Sequence, residues 1–332
     1  MRIFFRLITI VLILLTSCSH NPKPGYKNNK LPVEKRSYFY SDSNHSEILL
    51  KIQKTPDRVL NYLKKIDGNY SYTSYSPDNK EKALFSAYYE MLPDKLKRSV
   101  QKHVIAIYFI ENFMGGGMTD IVYDERLQPC CILYLNPEIL RRNLTEWITF
   151  RDNSTFYIDD GNIQIESLCS THYYGLVHVL FHESCHVYDY IYGITPYVEP
   201  SLKSDKSNIE SNDFVNGFWL DYGKTVPDYE FKGRSNFSSY GLGSKIPISQ
   251  AYEIYFGLSK APFASLYGSK NWAEDFAESF TWLFLKQKYN IDYSVLIKNN
   301  DKILFDYKPM SNTKLLQRNV LKIFERSSVL LI

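Results

Sequence analysis

Three absences narrow what this 332-residue chain can do. It has no sustained block of lysine and arginine and a formal net charge of only +3, so we expect no nucleic-acid partner. Beyond the N-terminal region, no apolar run approaches the roughly 20 residues that a membrane-spanning helix needs. No histidine follows His186, so a metal site that uses later residues must take carboxylates from them.

The composition is that of a folded protein. Hydrophobic residues make up 44% of the chain and charged residues 23%, which suits one large core or two modest lobes. The 28 tyrosines are compatible with a surface that binds peptides or sugars, and they are equally compatible with tyrosine-rich packing of the core.

The N-terminus has the layout of a bacterial export signal. Arg2 and Arg6 precede an apolar run over residues 7–15, which is too short to cross a bilayer but has the length of a signal-peptide core. The tetrapeptide LTSC that ends at Cys18 resembles the bacterial lipobox, in which the cysteine is lipidated and becomes the first mature residue.

We therefore expect residues 1–18 to be a lipoprotein signal peptide and residues 19–45 to be a polar tether, attached to the membrane through a lipid on Cys18. The folded domain would then stand outside the cytoplasm, in the bacterial cell envelope at the outer membrane or the cell surface. An uncleaved anchor and an ordinary secretion signal are the alternatives.

Four further cysteines remain: Cys130, Cys131, Cys169 and Cys185. In an exported protein Cys169 can form a disulfide with Cys130 or with Cys131, and the sequence does not choose between them. Cys185 lies in an apolar run, where we expect a small buried thiol rather than a metal ligand.

The pattern of apolar residues and breakers predicts an α+β domain over residues 46–332. We expect a small mixed sheet and a long apolar helix in an N-terminal lobe, 46–190, and mainly helices in a C-terminal lobe, 191–332. A long polar insertion at about 190–260 is expected to form loops over a site. The expected helices lie near 47–66, 80–103 with a break at Pro93, 137–144, 271–288 and 312–325; the expected strands lie at 104–110, 121–125 and 131–136, with a glycine turn at 114–120.

The stretch HESCH, His182 to His186, carries the strongest chemical signal. On a helix, His182 and His186 lie about 40° apart, so both imidazoles can reach one metal ion. Glu183 is turned by about 100° from His182, which places its carboxylate beside the ion as a base for a water molecule. His178, one turn earlier, is expected to support or cap the site rather than to bind the ion. The alternative is a buried helix whose histidines are satisfied within the core.

A third ligand is required, and two acids on a later helix fit best. Glu274 and Glu278 lie one turn apart on one face of the apolar helix predicted at 271–288, where a carboxylate needs a partner. Asn271 and Glu274 also have the spacing of an N-terminal capping box, which is the alternative explanation for Glu274. Asp275 is off this face and is expected to be a solvated acid of the first turn.

The block LYGSKNWAEDFAESF, Leu266 to Phe280, together with the upstream HESCH resembles the catalytic domain of anthrax lethal factor and its relatives, which include the Pro-Pro endopeptidases. The resemblance covers about thirty residues in two blocks and implies a zincin-like metallopeptidase fold of the gluzincin type. It implies one Zn²⁺ per chain, bound by His182, His186 and Glu274, with Glu183 as the general base.

The same resemblance implies Tyr267 as the phenol that stabilises the oxyanion and Glu278 as an acid that orients a ligand histidine. One departure matters: Glu274 follows His186 by 88 residues, which is longer than expected in those relatives, so an insertion must loop out near the cleft. Tyr240 is also followed by glycine and competes for the tyrosine position, but the fixed spacing to Glu274 favours Tyr267.

These expectations combine into a zinc-dependent endopeptidase that hydrolyses peptide bonds of a protein or peptide substrate outside the cytoplasm. The substrate would lie extended against a sheet edge near Ile121–Tyr123 or Ile132–Leu135. The alternative from a different class is a non-catalytic surface lipoprotein on a zincin scaffold that binds envelope or host ligands. Glu183 favours the enzyme, because a site that only holds metal has no use for a base at that position.

Overall fold

A computed structural model describes residues 31–41, 45–196, 212–241 and 243–327. The predicted signal peptide, Cys18 and part of the predicted tether lie outside these residues, so the expectations about them stay predictions. By its internal contacts the chain divides into a unit Met1–Pro32 and a unit Val33–Ile332, and every element below belongs to the second unit. The two predicted lobes are therefore parts of one unit.

The helices begin and end at recognisable sequence signals. Pro93 separates the second helix from the third, as predicted, because proline cannot continue a helix. The second helix begins at a capping box between Asp78 and Glu81. In the described ranges the helices are α1 (Asp57–Asp67), α2 (Asn79–Met91), α3 (Asp94–His103), α4 (Glu138–Arg141), α5 (Leu144–Asn153), α6 (Gly175–Tyr192), α7 (Ala251–Leu258), α8 (Trp272–Tyr289), α9 (Thr313–Gln317) and α10 (Val320–Arg326).

The strands of the described ranges are β1 (Thr73–Tyr75), β2 (Val104–Glu111), β3 (Gly117–Tyr123), β4 (Pro129–Leu135), β5 (Phe156–Tyr157), β6 (Ile163–Leu168), β7 (Trp219–Asp221), β8 (Lys224–Thr225), β9 (Ile246–Pro247), β10 (Ser294–Asn299) and β11 (Lys302–Tyr307). Four of them form a mixed sheet in the order β1-β2-β4-β3, in which β2 and β4 run parallel and the other neighbours antiparallel. This sheet and the surrounding helices confirm the α+β class. Since β4 lies inside the sheet, the prediction that Ile132–Leu135 offers an edge is wrong, whereas β3 is an edge strand.

The two faces of this sheet enter two separate apolar clusters. Tyr108 and Ile110 of β2 pack with α1 on one face, while Ile107 and Phe109 belong to the main core that contains α6. Such alternation is the period-two pattern of a strand that is buried on both faces. α6 packs directly against β3, so the helix that carries HESCH lies beside the edge strand.

A second sheet, in the order β11-β10-β6, was not predicted, and neither was α5. β10 and β11 lie in the C-terminal lobe, where the described helices still hold more residues than the described strands, as expected. β10 pairs along its whole length with β6 from the other predicted lobe. Because this pairing joins segments far apart in sequence, local patterning does not reveal it, and it explains why the two lobes form one unit.

Two local predictions need correction. β3 begins at Gly117, so the glycine turn predicted at 114–120 is shorter than expected. Gly115, with φ +103, makes the turn. The single helix predicted near 312–325 is two helices, α9 and α10, separated at Asn319, which has φ +53.

The folded unit also begins earlier than predicted. Residues 33–41 were expected to be tether, but they pack on the four-stranded sheet. Lys35 forms an ion pair with Asp120 at 2.8 Å, and Arg36 pairs with Tyr123 in a parallel bridge. This N-terminal segment therefore covers the C-terminal part of the free edge of β3.

The predicted insertion at about 190–260 is folded where the structure describes it; residues 197–211 lie outside the described ranges. It contains β7, β8, β9 and α7, and Trp219 is buried in the main core.

The four cysteines of the described ranges are free thiols, so no disulfide links Cys169 to Cys130 or Cys131, and Cys185 is buried as predicted. In the same ranges, none of the helices has the length and apolar character required to cross a membrane.

Candidate metal centre

α6 carries the HESCH stretch through the middle of the main core. Its residues are buried from Gly175 to Asp189, because β3, α3, α5 and α8 pack around it. Gly175 is required at its start, since a Cβ atom there would lie 2.6 Å from the ring of Trp147. The helix ends at Gly193, whose φ of +69 favours glycine. Packing and termination therefore fix the positions of the two histidines.

α8 brings the acidic residues to α6. The side chain of Asn271 accepts a hydrogen bond from the backbone N–H of Glu274 at 3.0 Å and caps the helix. The carboxylate of Glu274 does not return to the cap: its Oε2 lies 3.1 Å from Nε2 of His182. Capping therefore explains Asn271, but it does not explain the side chain of Glu274.

The three predicted ligands converge on one point. Nε2 of His182 lies 3.1 Å from Nε2 of His186 and 3.1 Å from Oε2 of Glu274, and the remaining distance, His186 to Glu274, is 3.5 Å. Tetrahedral zinc with bonds of about 2.0–2.1 Å requires neighbouring ligand atoms about 3.3 Å apart. The triangle therefore has the size that a zinc ion with three protein ligands requires.

The charges around the cluster favour a cation. Burial lowers the pKa of His182, but the carboxylates of Glu274 and Glu278 outweigh it and raise this pKa to about 10. Burial raises the pKa of Glu274, but His186 and His182 outweigh it, so the pKa of this carboxyl is lowered overall. A carboxylate beside two imidazole nitrogens that lie 3.1 Å apart favours a positive charge at this point, which a proton or a metal ion can supply.

Glu183 lies beside the three ligands, and among the described residues it belongs to no group of metal-ligating atoms. Its Oε2 accepts a hydrogen bond from Oγ1 of Thr119 at 2.7 Å, and burial raises its pKa. β3 comes so close here that a Cβ atom on Gly117 would lie 2.9 Å from Oε1 of Glu183. A fixed carboxylate with a raised pKa suits a proton acceptor, which is what the offset along the helix predicts.

A cavity of ≈ 20 Å³ opens beside His182 and Glu183, enough for about one water molecule. Both candidate tyrosines line it. The ring of Tyr267 lies 5.8 Å from that of His182, and the ring of Tyr240 lies 6.0 Å from that of Tyr267, between centroids. Burial raises the pKa of both phenols, so both are protonated hydrogen-bond donors at neutral pH. The structure brings together the two residues between which the sequence had to choose.

Glu278 lies on the opposite side of the His182 ring from Glu274. Its Oε1 is 3.0 Å from Nδ1 of His182 and 3.0 Å from Nε2 of His178. By distance, His178, His182 and Glu278 form a second group of possible ligands, but Arg151 already neutralises Glu278 at 2.8 Å. His178 therefore directs Nε2 to Glu278 and stacks its ring on that of His182, with 5.8 Å between centroids, and it is not part of the triangle of predicted ligand atoms.

Asp275 corrects the expectation of a solvated acid. It is fully buried and accepts hydrogen bonds from Arg318 at 2.8 Å, from Nε1 of Trp219 at 2.9 Å and from Ser279 at 3.0 Å. Arg318 precedes α10 and Trp219 begins β7, so the partners come from distant parts of the chain. Position on the helix alone does not reveal them.

Two contacts of the site were missed in the sequence: Thr119 on Glu183 and Arg151 on Glu278. The sequence does contain a pattern that indicates the buried position of Arg151. The apolar residues of α5 recur on one helical face, and Arg151 occupies the next position on that face, where a charge is buried and needs a partner. Thr119 has no such signal, because its contact depends on how β3 packs on α6.

Comparison with known proteins yields no match to this chain among family models, curated proteins or solved structures. The resemblance to the lethal factor group is therefore carried by the two motifs alone.

Proposed function

We propose that this protein is a zinc-dependent endopeptidase in which His182, His186 and Glu274 bind one Zn²⁺ and Glu183 is the general base. The observation that carries the proposal is the triangle of ligand atoms, with sides of 3.1, 3.1 and 3.5 Å, beside a buried carboxylate that is not part of it. Two histidines and one glutamate are typical of catalytic zinc sites, whereas structural sites have four protein ligands. The described residues supply three.

When bound there, zinc supplies a Lewis acid that polarises a carbonyl group and makes water more acidic. Glu183 accepts a proton from the attacking water and passes it to the amine that leaves, which its raised pKa favours. Thr119 holds one carboxylate oxygen of Glu183 and leaves the other towards Gly117 and the cleft. The protonated hydroxyl of Tyr267 donates to the oxyanion that develops on the substrate.

An extended peptide can pair with β3, the edge strand beside the cleft. The carbonyl of Gly116 accepts a hydrogen bond from the N–H of Asn136, directly after β4, so by the alternation along the strand the backbone groups of Gly117 and Thr119 point to the free edge. Further along, Nζ of Lys35 donates to the carbonyl of Ile121, and the N-terminal segment covers the edge. The proposed substrate therefore pairs with a short stretch at Gly117–Thr119 rather than with the Ile121–Tyr123 stretch expected from the sequence.

Glu183→Gln provides the test, in purified protein without its first eighteen residues. We expect about one zinc per chain in both wild type and variant, because glutamine has the shape of glutamate and the residue at position 183 is not one of the proposed ligands. Hydrolysis should fall by about 10²–10⁴-fold, since the amide cannot accept the proton. Incubation with envelope and host proteomes, followed by sequencing of new N-termini, identifies substrates and measures the loss.

Glu253→Gln is the matched control, because Glu253 is an exposed glutamate whose partner is Lys232 on the surface. The Glu253→Gln variant should bind zinc and hydrolyse substrates like wild type. Hydrolysis by Glu183→Gln at the wild-type rate would refute the mechanism. Zinc-loaded wild type that generates no new N-termini would instead favour the non-catalytic surface lipoprotein, and the failure of wild type to bind zinc would refute the site.

A further inference from the structure

A buried arginine joins three elements behind the proposed metal position. Arg151 on α5 is 1% exposed, and its Nη1 donates to Oε2 of Glu278 on α8 at 2.8 Å. Its Nε donates to Oδ1 of Asp152 at 2.9 Å. Asp152 in turn accepts hydrogen bonds from Ser167 at 2.6 Å and from the hydroxyl of Tyr293 at 2.8 Å. The guanidinium is thus fixed on one side and holds Glu278 on the other.

The two carboxylate oxygens of Glu278 have different surroundings. Oε2 accepts hydrogen bonds from Arg151 at 2.8 Å and from Ser265 at 2.6 Å. Oε1 faces the histidine rings, 3.0 Å from Nδ1 of His182 and 3.0 Å from Nε2 of His178, at angles outside the hydrogen-bond range. Within the described residues, neither Nδ1 of His182 nor Oε1 of Glu278 has a completed hydrogen bond to any other group. A small rotation of the ring or the carboxylate pairs these two atoms.

We infer that Arg151 is a positioning residue for the ligand His182. By holding Oε2 of Glu278, Arg151 directs Oε1 to Nδ1 of His182, which keeps the proton on Nδ1 and leaves the lone pair of Nε2 for the ion. The inference rests on the proposed function, because it requires His182 to bind zinc. It adds a residue of α5 to a site whose three proposed ligands lie on α6 and α8.

A purely structural role for Arg151 predicts a different outcome. Replacing a buried ion pair by apolar groups is often neutral for stability, whereas removing one partner leaves a buried charge and destabilises the fold. Either effect would change the free energy of unfolding without changing the affinity of the folded protein for zinc. The positioning role predicts a change in zinc affinity and in the position of the His182 proton, measured on folded protein.

The experiment compares wild type with Arg151→Met, Arg151→Lys and Arg234→Met in the full-length chain. Arg234 is the matched control, because it is 2% exposed and paired with a carboxylate, that of Glu230 at 2.6 Å, but does not contact Glu278 or the ligands. Zinc affinity is measured by competition with a chelator. The ring tautomer of His182 is read from nitrogen–proton correlation spectra of the metal-free and zinc-loaded protein.

We expect Arg151→Met to bind zinc about 10–100-fold more weakly than wild type and to lose the preference for a proton on Nδ1. Arg151→Lys keeps the charge but cannot hold Asp152 and Glu278 at once, so its affinity should fall by a smaller factor, about 3–10-fold. Arg234→Met should bind zinc like wild type, even where it lowers the melting temperature.

Wild-type affinity and an unchanged His182 tautomer in Arg151→Met would overturn the inference. If Arg151→Met does not fold, the same result in Arg151→Lys would overturn it. In both cases the proposed function would stand as long as wild type binds zinc. A wild type without zinc affinity would instead refute the proposed function itself.

Discussion

Tyr267 and Tyr240 present two phenols to one cleft, but their surroundings differ. The ring of Tyr267 approaches that of His182, with 5.8 Å between centroids. Tyr240 has φ +59, its N–H donates to Oγ of Ser154 at 2.7 Å, and its ring stacks on Trp147 at 6.2 Å. The ring of Tyr267 therefore lies beside a proposed ligand, whereas the ring of Tyr240 packs on Trp147 at the wall of the cavity.

Tyr267→Phe tests this difference between the two tyrosines. Removing the hydroxyl that we propose as the donor to the oxyanion should lower kcat by about 10²–10³-fold, with KM and zinc content little changed. Tyr240→Phe keeps the ring that forms the wall and should lower kcat by less than about 10-fold. Steady-state kinetics on a substrate found by the N-terminal sequencing measures both. The opposite order of effects would assign the oxyanion to Tyr240.

At the scale of elements, the site depends on how closely β3 approaches α6. A Cβ atom on Gly117 would lie 2.9 Å from both Cγ and Oε1 of Glu183 and 3.0 Å from Val179. The same strand supplies Thr119, which donates to Glu183. Because Gly117 has no side chain, β3 can lie close enough to α6 for Thr119 to bind Glu183.

Gly117→Ala should separate β3 from α6 or displace the carboxylate of Glu183. Hydrolysis should fall sharply while zinc remains bound, and the free energy of unfolding should decrease by about 1–3 kcal/mol, as for other overpacked sites. Gly161→Ala is the control, because no atom lies within 4 Å of the added Cβ and the residue has no left-handed φ. Zinc content, hydrolysis and denaturant unfolding check the three effects. Full activity in Gly117→Ala would show that the base does not need this approach.

The elements that carry the ligands were predictable, and the residues that support them were largely not. α6 and α8 have local signals: a long apolar run that ends at Gly193, and an asparagine cap at Asn271 before an apolar face. β10 and β11 form by pairing with β6, and Asp275 is buried by Arg318, so both depend on contacts between distant segments. Helix geometry predicts that His182 and His186 lie together on α6, whereas the approach of Glu274 from α8 was expected from the motif resemblance and, like the supporting contacts, depends on tertiary packing.

At the scale of the whole molecule, buried charges join elements that are far apart in sequence. Arg151 connects α5 to α8, and Arg318 connects the chain before α10 to α8. Lys51 lies fully buried, and its Nζ donates to the carbonyl of Val104 at the start of β2. Unlike an arginine, a buried lysine can release its proton at moderate pH, so its contribution to stability is measurable by titration.

Burial lowers the pKa of Lys51 from 10.5 to about 8. Between these values the unfolded chain binds a proton at Lys51 that the folded chain has released, so the free energy of unfolding rises with pH across this window. Relative to Lys51→Met, which cannot titrate, the free energy of unfolding of wild type should rise by about 3 kcal/mol from pH 7.5 to 10.5. Denaturant unfolding at several pH values measures the difference, with Lys65→Met, an exposed lysine on α1, as the control whose curve should parallel wild type. A difference between wild type and Lys51→Met that does not change with pH would show that burial leaves the proton affinity of Lys51 unaltered.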